Sequence, residues 1–227
     1  MIQAIVFDAD GVLVKPPFWF VTRAHELYGV PKAEFMAFIH GEFKHCTTGE
    51  LDLEVALAPL LKHWKVSVSI PEFIQAWLEH ENVIDPVMLE EVRALRASGM
   101  PCFVGTNQER NRANFMCLEM GLQADTDGVF ASCDLGARKP DRAFFDRLAE
   151  RLNLEPASLL LIDDSHENVA GARAAGWCAE HFTTRQAFRK RLLSHFRLGR
   201  PRALLCAFQI GPQDHRITQV HMMNLAL

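Results

Sequence analysis

The chain has 227 residues, of which 49% are hydrophobic and 23% are charged, and this composition is typical of a globular protein rather than a disordered one. Its 24 basic and 28 acidic residues leave a net charge of −4, which argues against a surface for duplex nucleic acid or an anionic membrane. The sequence has no run of about 18 apolar residues, so we expect no membrane-spanning segment.

The N-terminus lacks the pattern of a secretory signal peptide, because it has no basic segment and because Asp8 and Asp10 interrupt its apolar stretch. The six cysteines are scattered along the chain and form no Cys-X-X-Cys pair. Scattered cysteines without an export signal favour reduced thiols, and we therefore expect a cytoplasmic protein.

The first predicted element is a buried β-strand over residues 2–7, an almost wholly apolar run that ends at Asp8. From about residue 14 to residue 84 the apolar residues recur at helical spacing, which predicts a helical insert of about 70 residues. The predicted domains are thus a core made of residues 1–13 and 86–197, with the insert at 14–85.

Helices and strands alternate after residue 85. Helices are predicted over residues 87–98, 109–120, 141–152, 167–175 and 185–196, and strands over residues 101–105, 128–132, 159–162 and 177–182. This alternation predicts an α/β fold with a Rossmann-like parallel sheet covered by helices on both faces.

The C-terminal extension, residues 198–227, contains an apolar run, a turn and a weaker apolar run, which is the pattern of a β-hairpin. A bare hairpin is marginally stable in water, so it would pack on the core or join two copies into a homodimer. A partly ordered extension without a catalytic role is the alternative.

Polar residues follow three of the predicted strands, where the ligand sites of parallel sheets lie. Asp8 and Asp10 follow the first strand, and two carboxylates at this spacing suit a nucleophile and a general acid, although a solvated turn has the same pattern. Thr106 and Asn107 follow the second and suit phosphate oxygens, although on their own they fit an N-cap for the next helix.

Two further motifs carry charge that a phosphate site needs. Lys139 precedes a predicted helix and could neutralise an anion, although a surface lysine is the better interpretation of this residue alone. Asp163 and Asp164 directly follow a buried strand, where two like charges repel each other and a divalent cation such as Mg²⁺ would relieve the repulsion.

Together these motifs resemble those of the haloacid dehalogenase superfamily, in its phosphatase-type branch. The matching segments are FDADGVL at 7–13, VGTN at 104–107, RKPD at 138–141 and LIDDS at 161–165, followed by Asn168 and AAG at 174–176. The resemblance extends to about residue 182, and the helical insert occupies the place of that family's helical cap.

The resemblance implies a role for each matched residue. Asp8 would be the nucleophile that accepts the phosphoryl group, and Asp10 the general acid and base. Thr106, Asn107, Lys139 and Gly11 would contact the substrate phosphate. Magnesium would be held by Asp8, the Asp10 carbonyl oxygen, Asp164 and Asp163, the last directly or through water, with Asn168 beside them.

In this family the cap supplies substrate contacts, and the candidates here are Lys44 and His45, which could meet a sugar or a phosphate. A solvated loop is the alternative that the residues by themselves favour.

Several functions are compatible with these motifs. The first is magnesium-dependent hydrolysis of a small phosphorylated metabolite through an aspartyl-phosphate, and the second is a phosphosugar mutase on the same core. A 2-haloacid dehalogenase is disfavoured by Asp10, because halide leaves without a proton. A non-catalytic protein that binds a phosphorylated ligand would be expected to lack part of the catalytic set, whereas all four motifs are present.

Overall fold

The computed structural model describes residues 1–196, and the predicted hairpin at 198–227, with the homodimer through it, lies outside them. The described residues form one five-stranded parallel sheet in the order β3-β2-β1-β4-β5. Its strands are Ala4–Phe7 (β1), Cys102–Thr106 (β2), Val129–Ala131 (β3), Leu159–Asp163 (β4) and Cys178–His181 (β5). The predicted α/β, Rossmann-like fold class is thereby confirmed.

Five helices form the insert, between β1 and residue 85. They are Phe20–Tyr28 (α1), Lys32–His40 (α2), Phe43–Thr47 (α3), Leu53–His63 (α4) and Ile70–His80 (α5). The segment around Lys44 and His45, expected as a loop, contains the short helix α3, because its apolar members Phe43 and Cys46 turn inward.

The remaining helices alternate with β2 to β5. They are Pro86–Ala97 (α6), Arg110–Leu118 (α7), Leu122–Asp125 (α8), Ser132–Leu135 (α9), Arg142–Leu152 (α10), His166–Ala174 (α11) and Arg185–Phe196 (α12). The longer of these were predicted to within about two residues at each end, whereas the short helices α8 and α9 were not predicted.

Both faces of the sheet are buried, which explains why β1 is apolar throughout. Ile5 and Phe7 join the core cluster formed with α6, α7 and α12, whereas Ala4 and Val6 join the cluster formed with α10 and α11. Successive strand residues point to opposite faces, so a strand covered on both sides must be apolar at every position.

The insert has a hydrophobic core of its own, built largely from aromatic rings. Phe35 packs edge-to-face against Trp77, with ring centroids 5.2 Å apart, and Phe20 packs in the same way against Phe73 at 5.3 Å. The two segments that join the insert to the sheet lie side by side, because the Lys15 amide donates to the Val83 carbonyl oxygen at 2.8 Å.

Two expectations drawn from composition can be compared with the described residues. None of the helices within residues 1–196 combines the length and the apolar character needed to cross a bilayer. The five cysteines of this part of the chain are all free thiols.

Candidate active site

The carboxyl ends of β1 and β4 bring two buried carboxylates to either side of one ammonium group. Lys139 Nζ lies 3.0 Å from Asp8 Oδ1 and 2.6 Å from Asp163 Oδ2. The lysine is only 1% exposed, so the alternative of a surface lysine is wrong. Burial by itself would lower the pKa of Lys139, but the two carboxylates raise that pKa above its usual value and keep the ammonium charged.

Asn107 holds the Lys139 backbone in place. Its Nδ2 donates to the Lys139 carbonyl oxygen at 2.9 Å, and its Oδ1 accepts from the Lys139 amide at 2.8 Å. The side chain therefore positions the lysine rather than capping a helix. The N-cap of α7 is Glu109, whose carboxylate accepts from the amides of Asn111 and Arg112, so the capping alternative for Thr106 and Asn107 is wrong.

Asp163 is saturated with hydrogen bonds. Its Oδ1 accepts from the Ser165 amide at 2.9 Å and from Asn168 Nδ2 at 3.0 Å, and its Oδ2 accepts from Lys139. A fully buried carboxylate with both oxygens occupied is well suited to orienting Lys139. Asn168, expected near the metal, contacts this carboxylate.

Gly11 allows Asp164 to approach the first motif closely. Its φ of +81° lies in the left-handed region, and a Cβ there would stand 2.0 Å from Asp164 Oδ2. Only glycine meets both requirements. Gly11 therefore shapes the site through its lack of a side chain.

Three carboxylates, those of Asp8, Asp163 and Asp164, offer oxygens that all lie within 4.8 Å of one another. Carboxylate oxygens are the ligands that Mg²⁺ prefers, and Lys139 alone does not balance three negative charges. Burial raises the pKa of Asp8 to about 8 despite Lys139, and burial together with Asp163 raises the pKa of Asp164. The residues present thus fit a divalent cation.

Asp10 lies beside this cluster and has two neighbours that the sequence analysis missed. Gln108 Nε2 donates to Asp10 Oδ2 at 2.6 Å, and Arg112 Nη2 lies 3.5 Å from Asp10 Oδ1. Gln108 could have been found, because it directly follows the motif after β2. Arg112 stands in a run of arginine and asparagine that resembles a solvated helix face, and only the packing of the insert buries it.

Arg112 joins the core to the insert. Its guanidinium donates to the carbonyl oxygens of Leu78 at 3.3 Å and Glu81 at 3.1 Å, at the end of α5 and just beyond it. The Glu81 carboxylate accepts from the Phe20 amide at 3.0 Å. Burial raises the pKa of Glu81 to about 7, although Arg112 and the Phe20 amide both lower it.

A cavity of about 280 Å³ extends from Asp10 into the insert. Lys44 and His45 do not line it; both are exposed, and His45 Nδ1 lies 2.8 Å from Glu50 Oε2 on the surface. The Thr106 hydroxyl accepts from Gln108 Nε2 at 3.4 Å, and the same amide group contacts Asp10. The structure therefore brings together Asp8, Asp10, Gly11, Thr106, Asn107, Lys139, Asp163 and Asp164, and leaves Lys44 and His45 apart from this cavity.

Comparison with known families shows where the chain belongs. Residues 2–176 match the family model described as haloacid dehalogenase-like hydrolase. This chain is a haloacid dehalogenase-like hydrolase. The match covers both the strands that carry the site and the helical insert, which is called the cap from here on because of its place in the chain.

Two curated relatives of the hydrolase are phosphatases. The phosphoglycolate phosphatase of Thiobacillus denitrificans is 29% identical over 195 residues, which are 77% of this chain and 80% of that protein. The sesquiterpene phosphatase astK of Aspergillus oryzae is 34% identical over 101 residues, 44% of this chain and 50% of that protein. The chain thus spans half the length of the second relative, and together they support a phosphatase-type hydrolase.

A solved structure supports the fold. A predicted HAD-like family hydrolase from Porphyromonas gingivalis superimposes with a TM-score of 0.73 at 24% identity, covering 88% of this chain and 100% of that one. At this level of identity the similarity concerns the fold alone.

Proposed function

We propose that this hydrolase is a magnesium-dependent phosphatase that cleaves a phosphomonoester through an aspartyl-phosphate on Asp8. The observation that carries the proposal is the buried ammonium of Lys139 between Asp8 and Asp163, beside the carboxylate of Asp164. Such a site neutralises a phosphate while it holds the nucleophile in a fixed position.

The hydrogen bonds of Asp8 distinguish its two oxygens. Oδ1 accepts from the Ala9 amide at 2.7 Å and from Lys139, so among residues 1–196 Oδ2 is the oxygen left without such a bond. Oδ2 attacks phosphorus, the new bond joins Asp8 to the phosphoryl group, and the bond from phosphorus to the leaving oxygen breaks. Lys139 and the Thr106 hydroxyl stabilise the charge on the phosphoryl oxygens.

Asp10 handles the proton in both halves of the reaction. It donates a proton to the leaving alcohol and then accepts one from the water that hydrolyses the aspartyl-phosphate, which restores Asp8 and releases phosphate. Gln108 and Arg112 hold its carboxylate near the nucleophile.

A divalent cation held by Asp8, the Asp10 carbonyl oxygen and Asp164 would supply the positive charge that lets anionic Asp8 approach an anionic phosphate. In this proposal Asp163 contributes by orienting Lys139. Each carboxylate of the cluster thus has a role in the proposal.

The substrate we propose is a small phosphorylated metabolite, in keeping with the phosphatase relatives. The phosphosugar mutase alternative rests on the shared core, and no contact within the described residues favours it. The cytoplasmic location stays a prediction from the cysteine pattern.

Phosphate release from a panel of phosphomonoesters tests the proposal. We expect release with Mg²⁺, none with chelator, and a loss of at least about 10³-fold in kcat for Asp8→Asn. Asp134→Asn, at an exposed carboxylate on α9, is the matched control and should keep full activity. Retained hydrolysis in Asp8→Asn would disprove the nucleophile, and isomerisation without release would indicate the mutase.

A further inference from the structure

The cavity beside Asp10 has a polar end and an apolar body. Asp10, Gln108 and Arg112 form the polar end. The walls of the body are mostly apolar and belong to the cap; among them are Trp19, Phe35, Met36, Ile39, Phe43 and Trp77. A volume of about 280 Å³ approaches the size of small-molecule sites, which start at about 300 Å³.

Two of these apolar side chains remain in contact with solvent although they are large. Trp19 is 44% exposed and Met36 is 36% exposed, whereas Phe35 beside them is 1% exposed. Exposed apolar surface that lines a cavity, rather than lying scattered on the surface, is typical of a place where an apolar ligand group binds.

The position of Asp10 determines which part of a substrate enters this cavity. In the proposed mechanism Asp10 protonates the leaving oxygen, so the carbon group attached to that oxygen must start at Asp10. The same residue lines the cavity. The leaving alcohol, rather than the phosphate, therefore occupies the apolar body.

The charges along the cavity disfavour a second anionic group on the substrate. Glu81 and Glu109 line it together with Asp10, and the single guanidinium in the lining, that of Arg112, is already engaged by Asp10 and by two carbonyl oxygens. A substrate carboxylate or second phosphate would find carboxyl groups there, and of the Arg112 guanidinium only Nε lacks a hydrogen-bond partner within the described residues.

We propose that the cap cavity selects phosphomonoesters of hydrophobic alcohols, with aliphatic or aromatic carbon groups, over phosphorylated sugars and phosphorylated carboxylic acids. This inference rests on the proposed function and names its substrate class. The proposed substrate class differs from phosphoglycolate, after which the relative from Thiobacillus denitrificans is named. Phosphoglycolate carries a carboxylate, whereas the body of this cavity is apolar.

A series of n-alkyl phosphates from propyl to octyl tests the proposal, because chain length changes the apolar area and hardly changes the acidity of the leaving alcohol. We expect kcat/KM to rise by about threefold to fourfold per added methylene until the cavity is filled. An alkyl phosphate of equal length that ends in a carboxylate should lose this gain.

Two variants on α2 locate the effect. Ile39→Glu places a charge in the cavity wall and should abolish the gain in kcat/KM with chain length. Ala37→Glu, an exposed position on the same helix outside the cavity lining, is the matched control and should keep the gain.

The outcomes separate the two proposals. Hydrolysis of every ester with no dependence on chain length, or with a preference for the carboxylate-ended ester, overturns the cavity assignment and leaves the phosphatase intact. If no ester is hydrolysed, the proposed phosphatase function is wrong. Calorimetric titration of Asp8→Asn with n-alkyl phosphonates then tests separately whether the cavity binds alkyl groups. Affinity that rises with chain length supports the assignment, and absent or constant affinity overturns it.

Discussion

At the scale of single residues, the site depends on a few positions where the surroundings restrict which residue type fits. Gly11 is the sharpest case, because a methyl group there meets Asp164 Oδ2 at 2.0 Å on a backbone with positive φ. Gly29 also has positive φ, +68°, but a Cβ there would meet nothing within 4 Å. Substitutions at the two glycines therefore separate the cost of the left-handed backbone from the effect of the contact with Asp164.

We expect Gly11→Ala and Gly29→Ala each to lower the free energy of unfolding by about 1–2 kcal/mol for the left-handed backbone. Only Gly11→Ala should also weaken Mg²⁺ binding and reduce kcat, because Asp164 must move. Thermal unfolding and calorimetric Mg²⁺ titration of both variants measure this. Equal Mg²⁺ affinity in the two variants would contradict the role given to the Gly11–Asp164 contact.

Asp10 is the second residue with a specific expectation. If it protonates the leaving alcohol, Asp10→Asn should slow hydrolysis of alkyl phosphates by about 10²–10⁴-fold. Aryl phosphates with acidic leaving groups need no proton and should be slowed much less in forming the aspartyl-phosphate. Burst kinetics with both ester types measure that step, and equal slowing of both would exclude the general-acid role.

At the scale of elements, strand ends and helix starts could be predicted from the sequence, because caps and apolar runs involve only residues that are neighbours along the chain. Asp85 illustrates this: its Oδ1 accepts from the Val87 amide at 3.0 Å and Pro86 opens α6, one residue before the predicted helix start. By contrast, the contact between α5 and α7 could not be predicted from the sequence. Arg112 and Glu81, which are joined by a hydrogen bond, lie 31 residues apart along the chain, and their burial follows from the way the cap packs on the core.

Glu81, just beyond the end of α5, gives the cap attachment a measurable pH dependence. Its pKa, raised by burial to about 7 from 4.5, means that the folded protein holds a proton there that the unfolded chain loses. Stability from this group is therefore greatest below pH 4.5 and is lost as the pH rises through 7, by up to about 3 kcal/mol.

Glu81→Gln should remove this slope, because glutamine keeps the acceptor for the Phe20 amide without titrating. Chemical unfolding of both proteins from pH 4.5 to 8 measures the difference between their free energies of unfolding. The contributions of other titrating groups cancel in that difference. Glu79→Gln, at an exposed carboxylate in the last turn of α5, is the control and should leave the slope unchanged. Parallel curves for the native protein and Glu81→Gln would contradict the burial argument.

At the scale of the whole molecule, the site collects negative charge from segments far apart in sequence, and a bound cation should therefore stabilise the fold. Ligand that binds only the folded state adds about 2.7 kcal/mol at 100 times its dissociation constant. We expect Mg²⁺ to raise the melting temperature of the native protein and to do so much less in Asp164→Asn. Thermal scans with and without chelator test this, and an equal shift in both proteins would remove Asp164 from the metal site.

Local patterns alone were sufficient for the α/β class and for the residues at the ends of β1, β2 and β4. An apolar run followed by acidic or hydroxyl residues has few structural interpretations, and parallel strands bring their carboxyl ends to one edge. Asp8, Asp10, Thr106, Asp163 and Asp164 could be located in this way, whereas Lys139 precedes a helix and was placed in the site only through the resemblance to the haloacid dehalogenase superfamily.

Tertiary packing alone decided the partners of those residues and the shape of the cavity. The clamp of Asn107 on Lys139, the burial of Arg112 beside Asp10 and the apolar body under the cap all join segments more than 30 residues apart. Local sequence preferences do not encode which distant groups meet, because burial and its effect on charge arise only when the cap and the sheet pack together.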